Sequence, residues 1–330
     1  MREKVLVTGG AGYVGSVLVP ELIERGYDVR VLDSMIFGSQ GLNAVKEKCE
    51  IIRGDIRDKS CLEKCLENVN SLIHLAAISN DPSADLNFGL TIEVNYNATK
   101  NLLDFSKKMG VKRFIYASSS SVYGIKEEEN VTEDLTLKPL TIYSMTKAAS
   151  EDLVRKCNSK NFVTVNLRPA TVCGYSPRQR LDVIVNIFAN DAINKGVLRV
   201  DGGEQKRPNI HIRDMADCYL ALLQAPEEKI AGETFNVGYQ NLSFIEIAEL
   251  TRKIVGEDVK IVRIPTKDNR SYHVSSEKIK RILGTEQKHT VEEAIRDLKE
   301  AFAKGLIPNP QDSIHRNIER MKEISLENLH

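Results

Sequence analysis

Short apolar runs alternate along the first half of the chain with longer segments whose apolar residues recur every three or four positions. The intervening segments predict helices, the first of which runs to about Arg25. Strands that alternate with helices in this way form parallel βαβ units. The pattern therefore predicts an α/β fold with a doubly wound parallel sheet, whose strands lie at 4–8, 28–32, 50–53, 71–76, 112–117 and 162–168.

The alternation loosens after Arg168. Apolar residues on one face predict a helix over 182–195, and T-F-N-V at 234–237 predicts a strand that returns to the main sheet. The helical pattern of 291–304 ends before two prolines, and the charged tail beyond them predicts a peripheral helix. This region predicts a smaller lobe of mixed α/β structure.

The 330-residue chain is electrically balanced, with 46 basic and 46 acidic residues, so charge gives no reason to expect nucleic acid or an anionic membrane as a partner. No apolar run approaches the ~20 residues needed to cross a bilayer, and the charged start M-R-E-K leads into the first strand rather than a signal peptide. Six cysteines form no C-x-x-C pair and no metal-like cluster, which predicts a reduced, cytoplasmic protein without a metal site.

A glycine-rich loop follows the first strand, with Gly9, Gly12 and Gly15 spaced as G-x-x-G-x-x-G. Gly9 allows a tight turn, Gly12 lets backbone N–H groups approach a pyrophosphate, and Gly15 lets the helix pack closely on the strand. The helix N-terminus then faces the anion. Such a loop alone is often only a tight connection, but the strand before it and the helix after it favour a dinucleotide site.

An acid in the expected place strengthens this interpretation. Asp33 ends the second strand, where a carboxylate accepts both adenosine-ribose hydroxyls and repels a 2′-phosphate. Ser34 and Met35 follow, so no adjacent Arg or Lys can pair with a phosphate. NAD is therefore favoured over NADP, although a simple turn residue is the alternative for Asp33.

The run I-Y-S-M-T-K places Tyr143 four residues before Lys147. On a helix these positions share a face, so the phenol and the ammonium point into one cleft. The ammonium lowers the pKa of the tyrosine from its reference of about 10. Such a tyrosine can take a proton from a hydroxyl while a hydride leaves the same carbon. Isolated Y-x-x-x-K spacings arise by chance, so the interpretation depends on neighbouring features.

Two further runs supply those features. S-S-S-S-V-Y-G at 118–124 follows an apolar strand, and a hydroxyl there can hydrogen-bond the reacting oxygen, with a serine-rich turn as the alternative. L-R-P-A-T-V-C-G at 167–174 predicts a strand leading toward the substrate. Its Cys173 is interpreted as a small buried residue.

Together these motifs resemble the extended short-chain dehydrogenase/reductases, the NAD-dependent epimerase and dehydratase group that acts on nucleotide sugars. The resemblance covers nearly the whole chain and includes G-D-I-R-D at 54–58, H-L-A-A at 74–77, Asn95 and R-P-N-I-H-I-R-D at 207–214. It implies a Rossmann domain and a substrate-binding lobe. The Rossmann domain comprises residues 1–171 with a returning segment near 205–238, and the substrate-binding lobe comprises residues 172–204 and 239–330.

The resemblance also assigns site residues, with Ser119, Tyr143 and Lys147 as the catalytic set. Asn95 is expected to steady the backbone near the active site, and Arg207 to bind the nucleotide diphosphate. The implied cofactor contacts are Gly9, Gly12, Tyr13, Val14, Gly15, Asp33, Ser34, Asp55, Ile56, Leu75, Ala76, Ala77, Asn95, Ser118, Tyr143, Lys147 and Pro169. The implied substrate contacts are Ser79, Ser119, Ser120, Tyr143, Thr171, Arg178, Arg180, Arg207, Arg270 and Tyr272.

The group also implies a homodimer, in which helices near 93–109 and 143–157 of each subunit form a four-helix contact. The first of these helices carries more apolar side chains than one buried face needs, or else all of them belong to the internal core. They are Leu102, Leu103, Phe105 and Met109.

Departures from the group's pattern bear on the reaction. Dehydratases carry Asp-Glu just after the catalytic hydroxyl, whereas this chain has Ser120 and Ser121, which disfavours dehydration. The run G-Y-S-P-R-Q-R-L-D-V at 174–183 is similar both to UDP-glucuronate 4-epimerases and to GDP-heptose 4-dehydrogenases. The catalytic residues are intact, and in this group the 4-keto sugar is most commonly reduced again on the opposite face. The resemblance therefore predicts a nucleotide-sugar 4-epimerase, with a 4-dehydrogenase that releases the 4-keto sugar as the alternative. A non-catalytic NAD-sensing or scaffold protein is disfavoured by the complete Ser-Tyr-Lys set.

Overall fold

The structure of the protein is a computed structural model that describes residues 2–126, 128, 130–266 and 273–324. Its strands are β1 (Lys4–Thr8), β2 (Asp28–Asp33), β3 (Glu50–Arg53), β4 (Ser71–His74), β5 (Arg113–Ala117), β6 (Val163–Pro169), β7 (Thr171–Cys173), β8 (Val197–Asp201), β9 (Lys206–His211), β10 (Thr234–Val237), β11 (Gln240–Ser243) and β12 (Lys260–Ile264).

Helices connect most of these strands, and a π-helical turn, Glu93–Asn97, joins the fourth helix to the fifth. They are α1 (Gly15–Glu24), α2 (Lys59–Cys65), α3 (Asp81–Ala84), α4 (Phe88–Ile92), α5 (Ala98–Lys108), α6 (Ile142–Cys157), α7 (Ile184–Lys195), α8 (Ile212–Gln224), α9 (Glu227–Ile230), α10 (Phe244–Val255), α11 (Glu277–Leu283), α12 (Val291–Ala303) and α13 (Asn317–Glu323). Among the described residues, no helix is long and apolar enough to cross a membrane.

The main sheet has the order β10-β6-β5-β4-β1-β2-β3, and each neighbouring pair is parallel. Successive side chains of β1 enter different cores, because strand residues alternate between the two faces of a sheet. Val5 and Val7 pack in the core that includes Leu18 and Met215 of α1 and α8. Leu6 packs on the opposite face with residues of α2, α5 and α6. The predicted doubly wound α/β fold is confirmed.

A smaller region lies beyond β6. Its described strands form the sheets β11-β9-β7 and β12-β8, and α7, α10 and α12 share a core with them. Within the predicted returning segment, β10 joins the main sheet, whereas β9 pairs with β7 and β11 in the smaller one. The two-domain boundaries stay a prediction.

The packing bears on two expectations about surfaces. Leu102 and Leu103 are almost completely buried against the main sheet, so the alternative that they belong to the internal core holds for these two residues. The charged C-terminal tail is not peripheral, because Met321 of α13 is buried against Ile78, Ala84 and Leu90. This helix therefore closes over the carboxyl end of the sheet, where the glycine loop lies.

Candidate active site

A cavity of about 520 Å³ opens at the carboxyl ends of the parallel strands. Ligands of open α/β sheets bind at this edge. Within the described part of the chain, every residue predicted to bind cofactor or substrate lines this cavity, with the exception of Asn95. Two further predicted contacts, Arg270 and Tyr272, lie outside the described residues.

The glycine loop has the shape that a pyrophosphate requires. Gly9 has a φ of +74°, and a Cβ atom there would lie 2.7 Å from the backbone nitrogen of Ala76. A Cβ on Gly15 would lie 2.5 Å from Cα of Gly10, so the start of the helix packs closely against the glycine loop. The first turn of α1 has no side-chain cap. Its positive end therefore lies at the cavity without a side-chain acceptor, which fits the dinucleotide.

Asp33 stands at the end of β2 beside this loop. One carboxylate oxygen accepts from the Ala11 N–H at 3.0 Å, and the other accepts from the Met35 N–H at 2.8 Å. Burial raises the pKa of Asp33, and these two donors oppose that shift. The carboxylate thus holds the glycine loop and the β2 loop together, and it faces the cavity where a ribose is expected.

Lys147 is the buried cation at the other end of the cavity. Its Nζ donates to the Ala117 carbonyl at 2.8 Å and lies 5.9 Å from the ring centre of Tyr143. Burial lowers the pKa of Lys147 to about 7, and the Glu151 carboxylate opposes that shift. The helix α6 therefore brings the phenol and the amine into one cleft, as the four-residue spacing predicts.

Ser119 faces the same cleft from the turn after β5. Its Oγ accepts from the Ser121 N–H at 3.1 Å and from the Ser121 hydroxyl at 2.9 Å. With these two bonds accepted, the Ser119 proton is directed to another acceptor. Ser120 is buried nearby and also lines the cavity.

A buried ion pair supports this wall and escaped the sequence analysis. Arg168 binds the Glu151 carboxylate through Nε and Nη2, at 2.9 and 2.7 Å, and Glu151 also accepts from the Ser118 hydroxyl. Arg168 Nη1 donates to the Tyr123 hydroxyl at 2.7 Å. Because both charges are hydrogen-bonded, the pair can fix β5, β6 and α6 relative to one another.

Asn95 does not line the cavity and instead contacts the backbone beside it. Its side-chain amide accepts from the Ile78 N–H at 2.8 Å and donates to the Ile78 carbonyl at 3.0 Å. Asn95 is buried behind the cavity wall. It therefore steadies the loop after β4, which carries Ala76 and Ala77 into the cavity.

Further predicted contacts have partners that could not be read from the sequence. Asp55 forms an ion pair with Arg57 at 2.7 Å. Arg180 pairs with Asp182 through Nε at 2.8 Å. The Arg207 guanidinium lies 5.4 Å from the ring centre of Phe244. Asp182 and Phe244 also line the cavity and are added to the candidate substrate contacts.

Arg178 lines the cavity together with an aromatic ring and a C-terminal amide. Its guanidinium stacks 4.0 Å from the ring centre of Phe37, in the loop after β2, and donates to Asn317 Oδ1 at 2.7 Å. Asn317 also donates to the Ser79 hydroxyl at 2.9 Å. Arg178 thus lies between the loop after β2 and α13, and Asn317 and Met321 of α13 join it in the cavity wall.

The NAD dependent epimerase/dehydratase family matches residues 5–238. The chain belongs to this family. It is 30% identical over 312 residues to a UDP-glucose 4-epimerase of Lactobacillus helveticus, covering 87% of this chain and 92% of the relative.

Solved structures of the family agree with this membership. A UDP-glucuronic acid 4-epimerase of Bacillus cereus, solved with UDP-glucuronic acid and NAD, is 26% identical with a TM-score of 0.82, covering 90% of this chain and 99% of that one. A UDP-glucose 4-epimerase of Thermotoga maritima, solved with UDP-glucose, is 27% identical with a TM-score of 0.84, covering 92% and 99%. As a family member, the protein is an NAD-dependent enzyme of the nucleotide-sugar epimerase and oxidoreductase class.

The choice of NAD over NADP provides the first prediction. Asp33→Asn should weaken NAD binding, because one ribose acceptor is lost, while an amide still accepts one backbone N–H bond. Asp33→Ala combined with Ser34→Arg should gain NADP affinity, because the repelling charge is replaced by a cation. Titration of both nucleotides against each variant and the wild type measures the change. Equal wild-type affinity for NAD and NADP would show that Asp33 does not select the cofactor.

Proposed function

We propose that the protein is a nucleotide-sugar 4-epimerase that works through a 4-keto intermediate. The observation that carries this proposal is the meeting of Ser119, Tyr143 and Lys147 in one cavity with the glycine loop. An alcohol bound there can lose its proton to the phenol beside the site where a hydride is accepted. The 4-epimerase relatives favour position 4 of the sugar.

Each side chain has a distinct task in this mechanism. NAD, when bound, supplies the acceptor and then the donor for the hydride of C4. Ser119 donates a hydrogen bond to the 4-oxygen and positions it against Tyr143. Tyr143 takes the hydroxyl proton as the C–H bond breaks, and Lys147 stabilises the phenolate by its charge. The keto sugar then rotates in the site and presents its opposite face to the hydride donor. Tyr143 returns the proton as the hydride adds to that face, so the reaction balances without net oxidation.

Elimination of water is disfavoured by the same wall of the cavity. The two positions after Ser119 carry hydroxyl groups, which cannot act as the acid and base that expel a sugar hydroxyl. The nearby Asp182 carboxylate is already bound by Arg180 and by the Asn317 N–H at 2.8 Å. These contacts support a reaction that keeps every sugar oxygen.

Turnover without added cofactor tests the proposal. An epimerase returns its hydride, so protein holding NAD should convert UDP-glucose or UDP-glucuronic acid to the 4-epimer over many cycles, as followed by proton NMR. A 4-dehydrogenase, which the S-P-R-Q-R-L-D run also suggests, should stop after one equivalent. That stop, with the 4-keto sugar in solution, would replace our proposal by the alternative.

We infer that the protein forms a homodimer through α4 and α6. Three large apolar side chains are exposed on these neighbouring helices: Phe88 is 58%, Ile92 39% and Met145 48% exposed. Such a cluster favours association. Phe88→Glu with Met145→Glu should shift a dimer to monomer in sedimentation velocity, whereas Leu306→Glu, at a 50% exposed site in the smaller lobe, should not. A monomeric wild type at micromolar concentration would contradict the inference.

The proposed compartment is the cytoplasm. All six cysteines are unpaired in the structure, which fits a reducing environment.

A further inference from the structure

Cations on the cavity wall differ in how their charge is balanced. Arg57 pairs with Asp55, and Arg180 pairs with Asp182. Arg178 is equally part of the wall, but it forms no ion pair with any described residue. It is 2% exposed, and its Nε, like Nη2 of Arg180, is buried without a hydrogen-bond partner among the described residues. An anion or an acceptor from outside the chain would stabilise a guanidinium in such a position.

The position of Arg178 is fixed against the start of α1. The Ser176 hydroxyl, two residues earlier, donates to the Tyr13 carbonyl at 2.7 Å, and the Arg178 N–H donates to Ser16 Oγ at 3.3 Å. The guanidinium extends from there onto the Phe37 ring. It is close enough to Asp33 for its charge to lower the pKa of that carboxyl in part. Arg178 thus lies between the loop after β2 and the first turn of α1.

This is the region where the fold presents its positive helix end to a phosphate. We propose that Arg178, supplied by the segment after β7, binds the pyrophosphate of NAD together with the first turn of α1. Asn317 positions the guanidinium through its bond to Nη2, and Phe37 supports its face. The proposal does not depend on which reaction the sugar undergoes.

The electrostatic balance agrees with this assignment. Burial and the neighbouring Arg180 charge lower the pKa of Arg178, and the Asp182 and Asp33 carboxylates oppose that shift without forming an ion pair with the guanidinium. A pyrophosphate provides two negative charges and oxygen acceptors suited to an N–H donor. Arg178 belongs to the segment after β7, and Asn317 of α13 holds its guanidinium. Retention of the cofactor should therefore require α13 as well as the glycine loop.

Binding measurements on nucleotide-free protein can separate cofactor from substrate. Arg178→Met should weaken NAD and ADP-ribose by about 10- to 100-fold, because a charge-assisted hydrogen bond is lost. Adenosine, which lacks the pyrophosphate, should bind as it does to wild type. Arg263→Met, at a side chain in β12 that is 54% exposed and outside the cavity wall, serves as the control and should leave ADP-ribose affinity unchanged. Arg178→Lys should recover part of the loss, and Arg178→Gln replaces the methionine variant if that variant does not fold.

The nucleotide of the sugar substrate carries the same diphosphate chemistry, so UDP is titrated in parallel. Weaker ADP-ribose binding with unchanged UDP binding supports the assignment. Weaker UDP binding with unchanged ADP-ribose binding would transfer Arg178 to the substrate site and overturn it. Equal losses for adenosine and ADP-ribose would also overturn it, because they would indicate a general structural defect.

Discussion

Replacement of Tyr143 by phenylalanine should reduce turnover by a factor of about 10² to 10⁴, the usual contribution of a positioned acid–base group. The ring stays and keeps its packing beside Ile142 and Met321. The ionisable oxygen is lost, so no group at this position can take the proton of the 4-hydroxyl. Steady-state turnover with a sugar nucleotide, together with the melting temperature and the NAD dissociation constant, measures the effect.

A second tyrosine provides the control for this variant. Tyr27 precedes β2 at the amino end of the sheet, away from the cavity wall. Tyr27→Phe should leave turnover unchanged. If Tyr143→Phe turns over like wild type, the phenol is not the base, and the proposed proton transfer is wrong.

Lys147→Met should also reduce turnover by orders of magnitude, because it removes the charge that stabilises the phenolate. Its effect on stability should depend on pH in a defined direction. The pKa of Lys147 falls from its ordinary value of 10.5 to about 7 in the folded protein. Below pH 7 both folded and unfolded chains carry the charge, so burial destabilises the wild type in full. Between these two pKa values only the unfolded chain stays protonated, and the destabilisation declines as pH rises.

The melting temperatures of Lys147→Met and of wild type are compared on cofactor-free protein. The melting temperature of Lys147→Met relative to wild type should be highest near pH 6.5 and should decrease toward pH 9.5, within the window set by the two pKa values. Loss of the bond to the Ala117 carbonyl lowers the variant's stability by a similar amount at every pH. Lys108→Met, at a side chain that is 70% exposed, should show no such trend. A difference that grows with pH would contradict the burial of a charged Lys147.

Local patterns predicted the sheet well because parallel strands are buried on both faces and leave uninterrupted apolar runs. The bounds of β1, β3 and β10 are those predicted. β4 ends at His74, two residues early, because the chain turns there so that Ala76 lies against Gly9. The four-residue spacing of Tyr143 and Lys147 likewise predicted that they share a cleft, because both residues lie on one face of the helix α6.

Contacts between distant segments could not be predicted in this way. Asn317 reaches Ser79 across 238 positions of sequence, and no periodicity links the two. For the same reason, no local signal predicted that the Arg178 guanidinium stacks on the Phe37 ring. The Glu151–Arg168 pair was missed because each residue alone looks like an ordinary surface charge, and only the packing of α6 on β6 buries both.

The central claim is that one hydride leaves C4 of the sugar and returns to C4 of the same sugar. UDP-glucose, or whichever sugar nucleotide is turned over, can be labelled with deuterium at C4 and incubated in ordinary water without added NAD. Our account predicts that the 4-epimer formed over many turnovers keeps the deuterium at C4, as seen by NMR and mass spectrometry. Deuterium lost to water, or a single equivalent of released 4-keto sugar with the label left on the nicotinamide, would contradict it.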